Sequence, residues 1–316
     1  MPPQAVGPLS QPALETRRRA RLRRVLVENA QGWLFASPWV IGFVALFLFP
    51  MGWSIVLSLT SYDIINTPRF IGIGNYLEIL SDPLILQSLK VTTVFAVLSV
   101  PLNLALGLGL AMLLNQKVRA VAFWRTIYYL PAVLSGVAVS LLWEWLLNGR
   151  FGLINYILSL LFGINGPNWL DDSNTALWAF VIMSTWTVGG AMLINLAALQ
   201  GVPTSLYEAA SIDGANAWHR FRHIAVPTIS PVIFFNLIIG IIAALQSFTL
   251  FFIMTDGGPN NATLTYMLYL YNQAFQSTRM GYGSAMAWVL FVYLAILTLF
   301  IFKSSGRWVF YESTRR

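Results

Sequence analysis

Few side chains in this 316-residue chain have the chemistry of a catalytic or metal-binding centre. Cysteine is absent, so the chain has no thiolate ligand, no cysteine nucleophile and no disulfide. The two histidines, His219 and His223, lie four residues apart and would share one face of a helix. Such a pair can bind a metal ion, but no cysteine or converging carboxylate lies nearby to complete a site. The sequence therefore argues against a membrane-embedded enzyme or a metalloenzyme.

Both histidines belong to residues 203–231, the longest polar stretch between two apolar segments. Its Ser205-Leu206-Tyr207-Glu208 is typical of a capping box, in which the serine and glutamate side chains satisfy the first free amides of a helix. The short helix is predicted to end at Gly214, because glycine readily adopts the left-handed conformation. A second helical turn follows, and Pro227 is predicted to begin the next apolar span. The pattern fits either a rigid loop presented to a soluble partner or a plain interfacial amphipathic loop.

The elements around this loop are apolar enough to cross a membrane. Hydrophobic residues make up 57% of the chain and charged residues only 10%, and the mean hydropathy is +0.67, whereas soluble proteins carry about 25% charged residues. A bilayer is crossed by about 20 apolar residues, and prolines inside the spans, such as Pro131, predict kinks. Six stretches qualify: residues 33–60, 88–115, 121–147, 175–200, 228–255 and 284–302.

We therefore predict an all-α membrane protein with six transmembrane helices. Residues 30–303 form the transmembrane domain, which includes the loop 203–227, and residues 1–29 and 304–316 form polar tails. The first apolar run is too long for a signal peptide, whose apolar core has about 7–15 residues, so we predict a retained anchor.

Lysine and arginine predict the orientation of the chain. If the amino terminus is cytoplasmic, fifteen of the 19 basic residues lie on the cytoplasmic side, as the positive-inside rule requires. The other side then holds only Arg69, Lys90, Arg150 and Arg279. This distribution explains the net charge of +7 by topology and contact with anionic lipid rather than by nucleic-acid binding. Both termini and the loop 203–227 are predicted to be cytoplasmic.

The loop also carries a family resemblance. Glu208-Ala209-Ala210, Asp213-Gly214 and Val226-Pro227 resemble the EAA motif of ABC importer permeases. Further matches resemble the carbohydrate-uptake branch of these permeases, in its MalF-like or UgpA-like form, and the resemblance covers about residues 30–303. They are Phe70-Ile71-Gly72-Ile73-Gly74-Asn75-Tyr76, Leu130-Pro131, the segment from Asn148 to Asn155, and Thr255-Asp256-Gly257-Gly258-Pro259.

The resemblance implies a type I importer permease with the MetI-like fold, in a bacterial or archaeal cytoplasmic (inner) membrane. It implies a sugar, sugar derivative or polyol as the solute, and as partners a homologous MalG-like permease, a cytoplasmic ATPase dimer and an extracytoplasmic binding protein. ATP and Mg²⁺ would bind the ATPase, and this chain would bind no cofactor and would not be an enzyme. The implied ATPase-coupling residues are Glu208, Ala209, Ala210, Asp213, Gly214, Arg220 and Arg222.

The resemblance also implies a solute pathway near mid-membrane. Its candidate residues are Gly136, Ser184, Trp186, Thr187, Val188, Gln246 and Ser247, whose hydroxyl, amide and aromatic groups suit a sugar or polyol. Packing between helices is the simpler explanation for any one of these residues. The coupling residues also have simpler explanations. Glu208 can serve as a helix cap, and the positive charges of Arg220 and Arg222 can be explained by the orientation of the chain alone.

Two other classes of transporter are alternatives. A secondary transporter usually carries an ionisable residue at membrane depth, and the interiors of the six stretches contain no Asp, Glu, Lys or Arg. A permease of the same architecture for glycerol phosphate or another solute that is not a sugar is the closer alternative. The matches outside the loop favour the sugar branch.

Overall fold

The computed structural model describes residues 28–29, 31–116 and 119–310. Most of the predicted amino-terminal tail, Lys117 and the last six residues of the predicted carboxy-terminal tail lie outside these residues. The chain divides into two units, residues 1–57 and residues 58–316. Apart from residues 28–29, the described residues of the first unit belong to helix α1 (Gln31–Ser58), whose last residue falls in the second unit. This helix contains one π-helical turn at Val44–Leu48 and is long and apolar enough to cross a membrane.

The second unit is a helical body with one two-stranded sheet. In the sheet, β1 (Thr60–Ser61) pairs antiparallel with β2 (Arg69–Phe70). Its helices are α2 (Gly74–Ser81), α3 (Pro83–Leu114), α4 (Val121–Val133), α5 (Gly136–Leu146), α6 (Leu153–Phe162), α7 (Ala176–Trp186), α8 (Gly189–Gln200), α9 (Thr204–Ile212), α10 (Ala217–Arg220), α11 (Val226–Leu245), α12 (Thr249–Met254), α13 (Tyr266–Tyr271) and α14 (Met280–Ser305). Two π-helical turns, Phe221–Ala225 and Asn272–Gln276, follow α10 and α13.

Each predicted apolar stretch lies on helices of the structure. Four helical runs among the described residues are long and apolar enough to cross a membrane: Gln31–Ser58, Pro83–Leu114, Ala217–Met254 and Met280–Ser305. The pairs α4–α5 and α7–α8 pass the same test together, but they are bent by 99° and 44°. By length and composition, the described residues therefore contain four candidate spans, or up to six if each bent pair crosses the membrane once.

The bend between α4 and α5 lies close to the proline that predicted a kink. Pro131 is within α4, whereas the break falls at Leu134 and Ser135. The ring of Pro131 carries no amide hydrogen to donate into the preceding turn. After it, the Leu134 amide donates to the Pro131 carbonyl oxygen at 3.3 Å, which tightens the last turn, and the Leu134 backbone becomes extended.

Aromatic side chains form the centre of the main core. Phe180 of α7 stacks on Phe251 of α12 with ring centroids 4.1 Å apart, and Phe95 of α3 meets Phe251 edge-on at 5.1 Å. A second, smaller cluster, which we call the lower cluster, joins α3, α8 and α11 beside the polar loop. Its buried members are Ala111, Leu114, Met192, Leu196, Leu199, Val202, Ala225 and Ile229.

One carboxylate ties three helices together at the start of α3. Asp82 caps α3 by accepting the Leu84 amide at 2.9 Å, and its second oxygen accepts the hydroxyls of Tyr269 at 2.5 Å and Tyr282 at 2.9 Å. Burial, together with the neighbouring Asp82 carboxylate, raises the pKa of the Tyr269 hydroxyl above its ordinary value, so this hydroxyl stays protonated and donates. The network fixes α13 and α14 against the amino-terminal end of α3.

Candidate functional site

A cavity of about 340 Å³ lies between α3, α7, α8 and α11. Its fifteen lining residues all fall within the described part of the chain, and none of them is Asp, Glu, Lys or Arg. Its lining is mainly apolar, and a few hydroxyl and amide side chains converge on it. A largely apolar pocket with a few oriented polar groups is the usual form of a small-molecule site. The polar lining residues are Ser99, Asn103, Ser184, Thr187, Asn236 and Ser247.

The break between α7 and α8 shapes one wall of this cavity. Thr187 and Val188 lie at the break and line the cavity, and α8 restarts at Gly189. A Cβ atom on Gly189 would lie 2.2 Å from the backbone oxygen of Tyr128 in α4. Only glycine therefore lets α8 approach α4 this closely.

Asn103 of α3 presents an unsatisfied acceptor at the cavity. Its Nδ2 donates to the Ser99 carbonyl oxygen and to the Ser184 hydroxyl, both at 2.9 Å. Its Oδ1 is buried and finds no hydrogen-bond donor among the described residues. A buried acceptor without a partner costs about 1–3 kcal/mol. A hydrogen-bond donor that reached this oxygen would remove that cost.

A second amide pair lies beside the cavity. Asn236 of α11 lines the cavity, and its Nδ2 donates to Oδ1 of Asn195 in α8 at 3.0 Å. Both side chains are buried, and Asn195 is only 1% exposed. This hydrogen bond joins the two helices that lead into and out of the polar loop, because α8 precedes α9 and α11 follows α10.

Four of the predicted pathway residues come together at the cavity, namely Ser184, Thr187, Val188 and Ser247. The amides of Asn103 and Asn236 were not predicted as pathway residues. The sequence does carry a signal for them, since each is an amide side chain inside an otherwise apolar span.

Three predicted pathway residues do not line the cavity. Gly136 begins α5 and faces Thr249, whose Cγ2 would lie 3.6 Å from a Cβ atom on this glycine. Trp186 packs edge-on against Trp143 with ring centroids 5.9 Å apart. Gln246 is exposed at the carboxy-terminal end of α11. These three residues therefore do not belong to the wall that carries the polar groups around Asn103.

The amino-terminal end of α9 differs from the predicted capping box. The helix begins at Thr204, and Pro203 occupies the N-cap position without a side-chain hydrogen bond. The predicted cap residue, Ser205, is therefore the second residue of the helix, where its backbone is already helical and cannot take the extended N-cap conformation. Glu208 consequently has no partner at Ser205 and is exposed.

The carboxy-terminal end of α9 confirms the predicted glycine turn. Gly214 has a φ of +72°. The amide of Ala215 donates to the Ala210 carbonyl oxygen at 2.9 Å, and that of Gly214 donates to the Ser211 carbonyl oxygen at 3.2 Å. These two bonds form a Schellman motif, which rigidly ends a helix. The side chain of Asn216 then caps α10 by accepting the His219 amide at 2.8 Å.

Helix α9 stands out from the body of the second unit. None of its residues is buried, and Ile212 is 88% exposed. Tyr207 packs against the lower cluster, while Glu208 and Ala209 are exposed. Arg220 donates from Nη1 to the Ser211 hydroxyl at 3.3 Å, which links α10 to α9. The remaining predicted coupling residues, Asp213 and Arg222, are exposed, and Ala210 is half-buried.

The helix after the glycine turn is continuous with the next span. α10, the π-helical turn and α11 follow one another without a break from Ala217 to Leu245. Pro227 was predicted to begin the next span. In the structure it lies at the second position of α11, inside a helical run that starts at Ala217. His219 and His223 stack with ring centroids 4.4 Å apart. Among the described residues no group of three His, Cys, Asp or Glu side chains could hold a metal ion.

A helical membrane body, a neutral cavity among its apolar helices and an exposed helical loop define the membrane subunit of a transporter. Residues 103–309 match the family described as the binding-protein-dependent transport system inner membrane component, and the chain belongs to this family. It is 43% identical over 296 residues to the probable ABC transporter permease protein YesP of Bacillus subtilis (strain 168), across 92% of this chain and 95% of that relative. It is also 36% identical to the lactose transport system permease protein LacF of Rhizobium radiobacter, across 92% of this chain and 99% of LacF.

The same fold occurs in a solved transporter. The crystal structure of a bacterial alginate ABC transporter in complex with an alginate pentasaccharide-bound periplasmic protein contains a chain that matches 91% of this one, with a TM-score of 0.80 and 22% identity. The match covers 98% of that chain. The family match and the two permease relatives confirm the predicted ABC importer permease. The chain is a multi-pass protein of the inner membrane and a transport subunit, not an enzyme.

Proposed function

We propose that this chain forms half of the translocation pathway of an ATP-driven importer of neutral sugars, and that α9 couples it to a cytoplasmic ATPase. A homologous permease supplies the other half, and an extracytoplasmic binding protein delivers the solute. ATP and Mg²⁺ bind the ATPase dimer. The observation that carries the proposal is the uncharged, mainly apolar cavity in which a few hydroxyl and amide side chains converge around Asn103, within a member of this family.

The lining of the cavity supports a neutral, hydroxyl-rich solute. Serine, threonine and asparagine side chains exchange hydrogen bonds with sugar hydroxyls, and the apolar walls pack against the faces of a sugar ring. An anionic solute such as glycerol phosphate would be buried here without a compensating cation, which is costly. Sugar transport is consistent with the name of the lactose relative. The neutral lining argues against the glycerol phosphate alternative.

The exposed loop supports docking to the ATPase. The Schellman turn at Gly214 holds α9 rigidly, and the small side chains of Ala209 and Ala210 allow another protein to approach closely. Glu208 is an exposed carboxylate that can accept hydrogen bonds from a partner. Because α8 and α11 flank the loop, a displacement of α9 is transmitted to both helices and to the cavity between them. Coupling of this kind is reciprocal, so solute delivery also favours ATP-driven movement of the loop.

The basic residues support the orientation. Fifteen of the 19 lysines and arginines lie on the side that we assign to the cytoplasm, together with α9 and both termini. The domain assignment follows, with residues 30–303 as the transmembrane permease domain and two cytoplasmic tails.

Uptake measurements test the solute class. The complete transporter is reconstituted into proteoliposomes with ATP inside, and uptake of labelled maltose, lactose and a neutral pentose disaccharide is compared with uptake of glycerol 3-phosphate and a uronic acid disaccharide. We expect ATP-dependent uptake of at least one neutral sugar and none of the two anions. Asn103→Leu removes the amide from the cavity and should reduce uptake of the neutral sugar, whereas Ser184→Ala leaves the amide in place and should reduce it less. Uptake of an anion alone would overturn the proposal.

A further inference from the structure

A pocket outside the central cavity lies at the amino-terminal half of α6. Its volume is about 450 Å³. Its lining residues all lie within the described range 119–310, and Arg150 is the single charged side chain among them. The lining side chains that the argument uses are Trp145, Arg150, Phe151, Tyr156, Ser159 and Asn165. The pocket thus combines aromatic rings, a few neutral polar groups and one cation.

The loop that carries α6 is held firmly by one asparagine. Asn155 donates from Nδ2 to the carbonyl oxygens of Gly149 and Pro167, each at 3.1 Å, and its Oδ1 accepts the indole N–H of Trp169 at 2.7 Å. Gly166 packs so closely on Asn155 that a Cβ atom there would lie 2.0 Å from Oδ1. The apolar surface of α6 is therefore displayed by a fixed structure.

The exposed surface of α6 is almost entirely apolar. None of its residues is buried. Leu160, Leu161 and Phe162 are each more than 65% exposed, and Tyr156 is 63% exposed. A helix of ten residues is about 15 Å long, which is half the thickness of the hydrocarbon core of a bilayer. α6 therefore cannot span the membrane, and its apolar surface needs a cover of another kind.

The charged and aromatic residues around α6 indicate what shields its apolar surface from water. Tryptophan, tyrosine and arginine are enriched where a protein meets the membrane–water interface, because each combines an apolar body with a polar end. The Arg150 side chain is exposed and has no hydrogen-bond or ion-pair partner in the described part of the chain. With no carboxylate in the pocket, this guanidinium is complementary to a phosphate group.

We propose that α6 and this pocket form a phospholipid site at the membrane–water interface. The leucine and phenylalanine side chains of α6 lie among acyl chains, Tyr156 and Trp145 lie at the level of the headgroups, and Arg150 binds the phosphate of one lipid. The site shares no residue with the solute cavity or with α9. The lipid proposal can therefore be refuted without refuting the proposed transport function, and the reverse also holds.

Single-cysteine labelling tests the position of α6, and the absence of native cysteine makes it direct. A spin label is placed at Leu161→Cys in the full chain, in vesicles of phosphatidylethanolamine and phosphatidylglycerol, with Ile212→Cys on the exposed α9 as the reference. The label at residue 161 should collide mainly with oxygen, which concentrates among acyl chains. The label at residue 212 should collide mainly with a water-soluble nickel chelate. Preferential collision with nickel at residue 161 would overturn the proposal, as would shielding from both reagents in the assembled transporter, which would indicate a protein partner.

Lipid retention tests the role of Arg150. The chain is purified in mild detergent, and retained phosphatidylglycerol is counted by mass spectrometry for the natural chain, Arg150→Gln and Arg150→Lys. One cation near an anionic lipid is worth about a fivefold change in binding, so Arg150→Gln should retain about fivefold less and Arg150→Lys should retain nearly as much as the natural chain. Equal retention by all three proteins would contradict the phosphate contact.

Discussion

At the scale of single residues, Asn103 carries most of the argument for the solute. Its Nδ2 is engaged by Ser99 and Ser184, and its buried Oδ1 finds no hydrogen-bond donor among the described residues. Asn103→Leu keeps the approximate size of the side chain and removes the acceptor. We expect the KM for the transported sugar to rise about tenfold, the equivalent of one lost hydrogen bond in a buried site, with little change in the amount of inserted protein. Ser184→Ala serves as the control, because it leaves Oδ1 in place and should have a smaller effect on KM.

The hydrogen bonds of Asp82 predict how much this side chain contributes to the stability of the fold. It accepts two tyrosine hydroxyls and one amide, and hydrogen bonds to a charged group contribute about 1.5–3 kcal/mol each. Asp82→Asn weakens these bonds without changing the shape of the side chain, so the free energy of unfolding should fall by about 1–3 kcal/mol. Unfolding of the purified chain in detergent measures the change.

The neighbouring ion pair provides the comparison for Asp82. Glu78 accepts two hydrogen bonds from Arg279 at 2.6 Å, but both side chains are more than 40% exposed. Pairs that are exposed to this extent contribute about 0–1 kcal/mol. Glu78→Gln should therefore lower the free energy of unfolding less than Asp82→Asn does. A larger loss for Glu78→Gln would contradict the conclusion that Asp82 holds α3, α13 and α14 together.

At the scale of helices, the hydrogen bond between Asn195 and Asn236 links the loop to the cavity. Single and double replacements by leucine preserve volume and define a double-mutant cycle. Buried hydrogen bonds between membrane helices average about 0.6 kcal/mol and reach about 1.7 kcal/mol, so we expect a coupling energy in that range from unfolding measurements.

A purely structural bond would leave the energetics of transport unchanged. We expect each leucine variant also to raise the ATP hydrolysed per sugar imported, because α8 and α11 can then move without reshaping the cavity. An unchanged ratio of hydrolysis to uptake in both variants would assign the pair to packing alone.

The sequence predicts the helices far better than their mutual arrangement. The long apolar runs around Phe95 and Met286 lie on helices, because hydropathy is a local property. The helix continues for two residues beyond Pro131 before it breaks at Leu134 and Ser135. No local sequence pattern marks the position of this break. The predicted capping box is wrong because the N-cap is Pro203, two residues before Ser205, and the helix begins at Thr204.

The lining of the central cavity was predicted only in part for a related reason. Ser184 and Ser247 reach it, but Trp186 and Gln246 face elsewhere, since rotation of a helix about its axis is set by contacts with other helices. Asn103 in α3 and Ser184 in α7 are 81 residues apart in sequence, and only the packed structure brings their side chains to 2.9 Å. By contrast, the turn at Gly214 was predictable because its backbone conformation is a local requirement.

At the scale of the whole molecule, we propose that the chain supplies the solute path and the coupling helix, and that a separate ATPase subunit supplies the energy. Its sequence contains no glycine-rich loop ending in Gly-Lys-Ser or Gly-Lys-Thr that would cradle the phosphates of ATP. We expect the purified chain to hydrolyse no ATP, and hydrolysis to appear only when the ATPase subunit is added. Hydrolysis that copurifies with the chain in the absence of that subunit would contradict the division of labour.

The most direct test of the coupling account is ATP-driven uptake by a complete transporter that carries Glu208→Lys. Asp171→Lys makes the same charge change at an exposed site outside the loop and serves as the control. The account predicts that Glu208→Lys inserts normally but loses most ATPase association and at least tenfold of its sugar uptake, whereas Asp171→Lys retains both. Natural levels of ATPase association and uptake in Glu208→Lys would contradict it.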